Sequence, residues 1–172
     1  MTRYTTVMSL TVSAGGEARW RGRKLRCAIG RGGISDDKRE GDGATPAGLF
    51  PVRRVLYRAD RVSRPECVLP SEAIAPADGW CDDPTDPLYN QRVQLPYAGR
   101  CEALWRDDAL YDVVGVLGFN DAPAVPGRGS AIFLHVARPD FGPTEGCVAL
   151  SRRDLLDVLK DWRVDDRVIV IA

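Results

Sequence analysis

Seventeen glycines and twelve prolines punctuate the 172 residues and break the apolar segments into short runs. With Val, Tyr and Trp spread throughout, this pattern favours a turn-rich, strand-rich fold over a helical bundle. Residues 4–13 carry Tyr, Val, Leu and Val at strand-like spacing, and Gly15-Gly16 ends the run. Ala18 to Ile29 reads as a second strand, so a hairpin is expected. Arg31 to Ala47 is rich in Gly, Asp and basic residues and reads as loop. Gly48 to Tyr57 reads as strand. Residues 58–100 hold many prolines and few periodic apolar positions, and they read as a long irregular insertion. In a compact domain such a segment usually builds a binding surface.

The last third is clearer. Tyr111 to Phe119 and Ala131 to Val136 read as buried strands, and the second carries the only histidine, His135. Ser151 is placed to cap a helix: Asp154 lies three positions on, and Leu155, Leu156, Val158 and Leu159 form an apolar stripe. Val168 to Ile171 reads as a final strand. The fold class is therefore mainly β, with one or a few short helices, in a single domain over 1–172.

The 24 basic and 24 acidic side chains cancel, so no basic excess marks a general nucleic-acid binder. No apolar run approaches the length of a membrane span. The first residues lack an apolar core of signal-peptide length, which leaves a cytoplasmic location, trimming or another export route open. The five cysteines include no Cys-x-x-Cys pair, so a zinc knuckle or thioredoxin-like site lacks support. Cys27, Cys67, Cys81 and Cys101 read as partly buried structural thiols, with two disulfides and one free thiol as the alternative in an exported chain. Gly30 to Gly33 and Gly41 to Gly43 lack the ending and placement of a phosphate loop. Trp20, Trp80, Trp105 and Trp162 are scattered and read as packing residues. The acid pairs Asp36-Asp37 and Asp165-Asp166 read as solvated loops.

Chemistry concentrates at His135 and Cys147. A thiol has a reference pKa of about 8.5, and a nearby imidazole activates it. Gly146 leaves room for a substrate carbonyl near backbone N–H groups that can form an oxyanion hole. The helix after Cys147 offers its positive end to a thiolate. A lone Cys and a lone His also fit a buried small side chain and a hydrogen-bonded core histidine, so the surrounding motif decides between the readings.

The stretch from Gly129 through His135 to Thr144-Glu145-Gly146-Cys147-Val148-Ala149-Leu150 resembles the YkuD-type L,D-transpeptidase family. Gly41-Asp42-Gly43-Ala44-Thr45-Pro46-Ala47-Gly48-Leu49-Phe50 is a second match, similar to the family's Thr-Pro-x-Gly-x-Phe/Tyr segment. The resemblance covers most of the chain, with 58–100 outside it. It implies a YkuD-like mixed β-sheet or sandwich that forms a Cys147 acyl-enzyme at an L,D peptide bond of a peptidoglycan stem peptide. An amine acceptor then takes the acyl group. His135 would be the general base and then the acid, Gly146 and Cys147 N–H groups would hold the oxyanion, and Thr144 would brace the loop. The resemblance implies no metal and no cofactor, and a periplasmic or cell-wall location.

The sequence departs from the family at several positions. Val136 follows the histidine in place of Gly or Ser, although its carbonyl can still orient the imidazole. Glu145 replaces the usual His before Gly-Cys, and Ala149 replaces the usual Arg. The eight residues between His135 and Thr144 are fewer than is common. Arg138, Arg152 and Arg153 are the candidates to replace the missing cation. These departures suggest a variant subgroup, for which L-Ala–diaminopimelate cross-links are one reading. Glu145, Arg138, Tyr89 and Asn90 are the candidate substrate contacts, while Tyr89 and Asn90, like Asp82-Asp83-Pro84, also fit a plain turn. An L,D-carboxypeptidase or endopeptidase using water as acceptor, and a non-catalytic peptidoglycan-binding domain, are the alternatives. The sequence leaves the oligomeric state open.

Overall fold

The computed structural model describes residues 8–172. Strands β1 (Ser9–Ser13), β2 (Glu17–Trp20) and β3 (Arg23–Ala28) form an antiparallel meander. The Tyr4–Val7 part of the expected first strand lies outside the described residues. Ala18–Ile29, expected as one strand, divides at Arg21 and Gly22, with φ of 46° and 78°. Two successive positive φ values make the tight turn that matches strand twist in a hairpin.

Arg31–Ala47, expected as loop, contains a small parallel ladder of β4 (Ile34–Ser35) and β5 (Thr45–Pro46). Gly48–Tyr57 is two strands, β6 (Gly48–Phe50) and β7 (Val52–Tyr57). Pro51 between them has no N–H to continue a ladder. The stretch 58–100, read as irregular, carries β8 (Ser71–Ala73), β9 (Asp78–Cys81) and β10 (Arg92–Gln94). Each is only three or four residues long, and prolines stand between them, so no periodicity develops. The remaining elements are β11 (Cys101–Ala103), β12 (Val113–Leu117), β13 (Phe133–Val136), β14 (Val148–Leu150), α1 (Arg152–Lys160) and β15 (Arg167–Ile171).

Ten strands form one mixed sheet in the order β6-β15-β1-β2-β3-β14-β13-β12-β7-β8. β6 is at one end and β7 is next to the other end, yet Pro51 alone separates them in sequence. The sheet is therefore curled on itself. Its inner face holds the larger core, with Leu10, Val12, Val55, Leu134 and Leu150 packed against Leu155, Val158 and Leu159 of α1. Ser151 caps that helix as expected, accepting the Asp154 N–H at 3.1 Å, a contact that contributes about 1 kcal/mol. Trp20 stacks on Trp162 at 5.3 Å, so both are core residues. Asp166 departs from the solvated reading: it is buried and accepts the N–H groups of Met8 (2.9 Å) and Arg163 (2.8 Å).

A second apolar cluster lies on the other face of β12 and β13 and includes Leu56, Trp80, Tyr111, Val114, Phe133 and Cys147. The three-stranded sheet β10-β9-β11 covers it, with Trp80 edge-on to Phe133 at 5.1 Å. The proline-rich stretch thus supplies a wall beside Phe133 and Cys147.

Candidate active site

β13 and β14 run parallel, and His135 stands beside Ala149. Cys147 is two residues before Ala149, so strand alternation puts Cys147, Ala149 and His135 on one face. All three line a cavity of about 430 Å³. The Cys147 thiol donates to the Ala131 carbonyl at 3.2 Å, and the Phe133 N–H donates to Sγ at 3.3 Å. Ala131 is held at φ 52°, an uncommon conformation for alanine.

The loop before Cys147 is fixed from two sides. The Thr144 hydroxyl donates to the Cys147 carbonyl at 2.7 Å and accepts the Gly146 N–H at 3.1 Å. The Gly146 N–H, expected at the oxyanion, is therefore engaged within the loop. Thr144 also bonds through its backbone to Ile29 (2.9 Å) and Arg31 (2.8 Å). Gly146 has φ 139°, and a Cβ there would meet the Ala44 carbonyl oxygen at 2.8 Å. The Thr45 hydroxyl in turn accepts the Gly30 N–H at 2.8 Å, and Thr45 is fully buried. The early Thr-Pro-x-Gly segment thus braces the cysteine loop.

The His135 Nδ1–H donates to the Val136 carbonyl at 2.9 Å, which leaves Nε2 as the basic nitrogen. Tyr111 packs edge-on against the imidazole at 5.4 Å. Burial pushes the imidazole down to about 4 and the Cys147 thiol up to about 12. Desolvation penalises the charged form of each, so both rest neutral. The Tyr111 hydroxyl donates to Glu102 at 2.9 Å. Burial raises the Glu102 carboxyl above its ordinary value, and the Tyr111 bond opposes that shift.

Arg138 and Glu145 line the cavity. Arg138 has no ion pair among the described residues, whereas Glu145 pairs with Arg31 at 2.9 Å. Arg152 instead pairs with buried Asp112, and neither it nor Arg153 lines the cavity. Tyr89 and Asn90 do not line it either. Tyr89 is buried, donates to Glu40 and accepts the Gly129 N–H at 3.0 Å. The Asn90 side-chain oxygen accepts from the Trp80 indole (2.9 Å) and the Ala131 N–H (3.0 Å). Its amide nitrogen donates to the carbonyls of Phe119 (3.0 Å) and Asn120 (2.9 Å). Both residues stand behind the cavity and hold the segment that meets the thiol.

Sequence reasoning missed Lys38, Glu102, Arg106 and Tyr111, which also line the cavity. Lys38 is buried and pairs with Asp42, and Arg106 pairs with Asp108 at 2.7 Å. No spacing ties these residues to His135 or Cys147, because they arrive from three separate segments. Among the described residues, no cluster of three or more His, Cys, Asp or Glu side chains is arranged to hold a metal ion, and no helix is long and apolar enough to cross a membrane. All five cysteines are free thiols.

A curled, mainly β domain that turns a cysteine and a histidine into one cavity is the class that fold and site define. The chain belongs to the YkuD family, the L,D-transpeptidase catalytic domain, whose family model matches residues 5–170. The match spans 58–100 as well. No curated protein matched significantly. Among solved structures, an L,D-transpeptidase from Mycobacterium smegmatis is 13% identical, with a TM-score of 0.47, covering 96% of this chain and 58% of its own. L,D-transpeptidase 3 from Mycobacterium tuberculosis, in complex with a faropenem-derived adduct, is 15% identical, with a TM-score of 0.45, covering 96% and 60%. The helical cell shape determining protein Pgp2 from Campylobacter jejuni is 14% identical, with a TM-score of 0.41, covering 95% and 47%. The chain thus spans about three-fifths or less of the length of these structures.

Proposed function

We propose that this protein is a cysteine L,D-transpeptidase acting on peptidoglycan stem peptides outside the cytoplasmic membrane. The observation that carries this reading is the shared face of β13 and β14, which presents His135 and Cys147 to one cavity. The Cys147 thiol leaves the Ala131 carbonyl and turns toward His135 Nε2. Sγ attacks the carbonyl of the L-centre of diaminopimelate as its proton passes to the imidazole. Backbone N–H groups of Gly146 and Cys147 receive the oxyanion, which requires the Gly146 N–H to release Thr144 Oγ1. The C–N bond then breaks, and the imidazolium protonates the leaving amine of the terminal D-residue. An acceptor amine attacks the thioester, loses its proton to His135 and regenerates the thiol.

Arg138, free of any ion pair among the described residues, takes a carboxylate of the donor in place of the family's usual Arg. Ala149 leaves space beside His135 where that Arg would stand. An L-Ala–diaminopimelate cross-link instead requires Sγ to attack the L-Ala carbonyl, with the rest of the stem leaving through the amine of its D-residue and a diaminopimelate amine of a second stem taking the acyl group; the masses of the dimers distinguish the two products. Incubation with defined muropeptides and mass spectrometry of the products tests the reading. Cross-linked dimers support it. Loss of a single D-residue with no dimer assigns water as the acceptor, and an unchanged pool contradicts catalysis.

A further inference from the structure

β9 and β11 set Cys81 directly opposite Cys101. The backbone bonds define what kind of pair this is. The Asp82 N–H donates to the Arg100 carbonyl at 3.2 Å, and the Leu104 N–H donates to the Asp78 carbonyl at 2.9 Å. Bonded and non-bonded pairs alternate along an antiparallel ladder, so Cys81 and Cys101 form a non-hydrogen-bonded pair. Such pairs hold Cα atoms about 4.5 Å apart with their side chains close, inside the range of roughly 4.4–6.8 Å that a disulfide spans.

Alternation also separates the two faces of this small sheet. Trp80 and Glu102 face Phe133 and Tyr111, and Asp82, Arg100 and Glu102 line the cavity. Cys81 and Cys101 therefore face the other way, beneath the segment that carries Tyr97. On that face the Leu95 side chain packs against Gly79, and the Tyr97 phenol is held by its bond to Asp86 at 2.9 Å. Cys81 is fully buried, whereas Cys101 is half-buried and open to a reagent.

We propose that Cys81 and Cys101 are a built disulfide site that locks one wall of the catalytic cavity. A disulfide oxidant supplies the chemistry. The Cys101 thiolate attacks one of its sulfurs and expels a thiol, and the Cys81 thiolate then attacks the mixed disulfide and expels the second. The two protein thiols lose two electrons and two protons, and the oxidant becomes two thiols. Among the described residues β11 pairs only with β9, through three residues, and it carries Glu102. A covalent link at 81–101 would hold that short edge strand in register whatever substrate occupies the cavity.

The test uses the full chain, reduced and then exposed under native conditions to oxidised glutathione. It is then quenched, denatured and alkylated. The expected result is alkylation at three of the five cysteines, with peptide mapping finding Cys81 joined to Cys101. The oxidised form should melt roughly 5–10 °C above the reduced form. Cys101→Ser, at the half-buried position, should form no internal link and show no such rise. Alkylation of all five cysteines in the unmodified protein, glutathione adducts with no internal link, or a link between any other two cysteines would overturn the proposal. The readout is chemical and stands apart from the proposed reaction.

Discussion

Gly146 approaches Ala44 so closely that a side chain at 146 would meet the Ala44 carbonyl oxygen at 2.8 Å. This contact joins the two sequence segments that resemble the family, and it makes the glycine before the cysteine a packing requirement. Gly146 also sits at φ 139°, where alanine is strained. Gly146→Ala should destabilise the protein by on the order of 3 kcal/mol and displace the loop that presents Cys147. Thermal melting with muropeptide turnover checks this. A variant with unchanged melting temperature and rate would show that the loop has room the structure denies it.

Asn90 should matter to activity without lining the cavity. Its side chain ties Trp80, Phe119, Asn120 and Ala131 together. Ala131 carries the carbonyl that accepts the Cys147 thiol. Asn90→Ala strands several polar groups and should cost about 2–4 kcal/mol, since each unsatisfied buried group costs about 1–3 kcal/mol. Turnover should fall while the donor KM changes little. A raised KM with intact kcat would place Asn90 in direct contact with substrate instead.

The pH profile follows from burial. His135 is held near 4, below the ordinary imidazole value of 6.5, because desolvation penalises its charged form. Between those values the unfolded chain binds more protons than the folded one. The His135 contribution to stability is therefore full above about pH 6.5 and is lost as pH falls toward 4. Activity should persist through pH 5.5 and fall with a midpoint near 4, where the base becomes protonated. Measuring kcat/KM against pH, with tryptophan fluorescence to follow folding, gives the comparison. An acid limb centred near 6.5 would mean that the imidazole titrates as an exposed group.

The strongest parts of this architecture are legible in the amino-acid sequence. The α1 stripe of Leu155, Val158 and Leu159, with its Ser151 cap, follows from helical periodicity, and the buried strand carrying His135 follows from a short continuous apolar run. What the sequence conceals has physical causes. β9 and β11 are too short to show alternation, and their apolar members serve a second core that no single run reveals. Glu102 and Tyr111 meet through tertiary packing. Tyr89 and Asn90 stand out as polar residues in a turn, and only the backbone shows that they face inward.

Ala149 stands between Ala28 and His135 in the sheet and is almost fully buried. An arginine there would enter the cavity beside the imidazole, where Arg138 and Arg106 already contribute positive charge. Like charges in a partly desolvated site oppose one another. Ala149→Arg should lower turnover of the native donor or change the muropeptide product formed. Product spectra on one mixed pool would show it, and an identical spectrum at an identical rate would place position 149 outside the donor site.

The proposed role of Cys147 as nucleophile is tested most directly by intact-protein mass spectrometry after brief incubation with a defined stem-peptide donor. The expected adduct equals the donor minus its terminal D-residue, maps to Cys147 and is carried as a thioester. Cys147→Ala should fold normally, because one small apolar side chain replaces another, and should carry no adduct and form no product. An adduct on any other residue, or product from Cys147→Ala at the unmodified rate, would contradict that role.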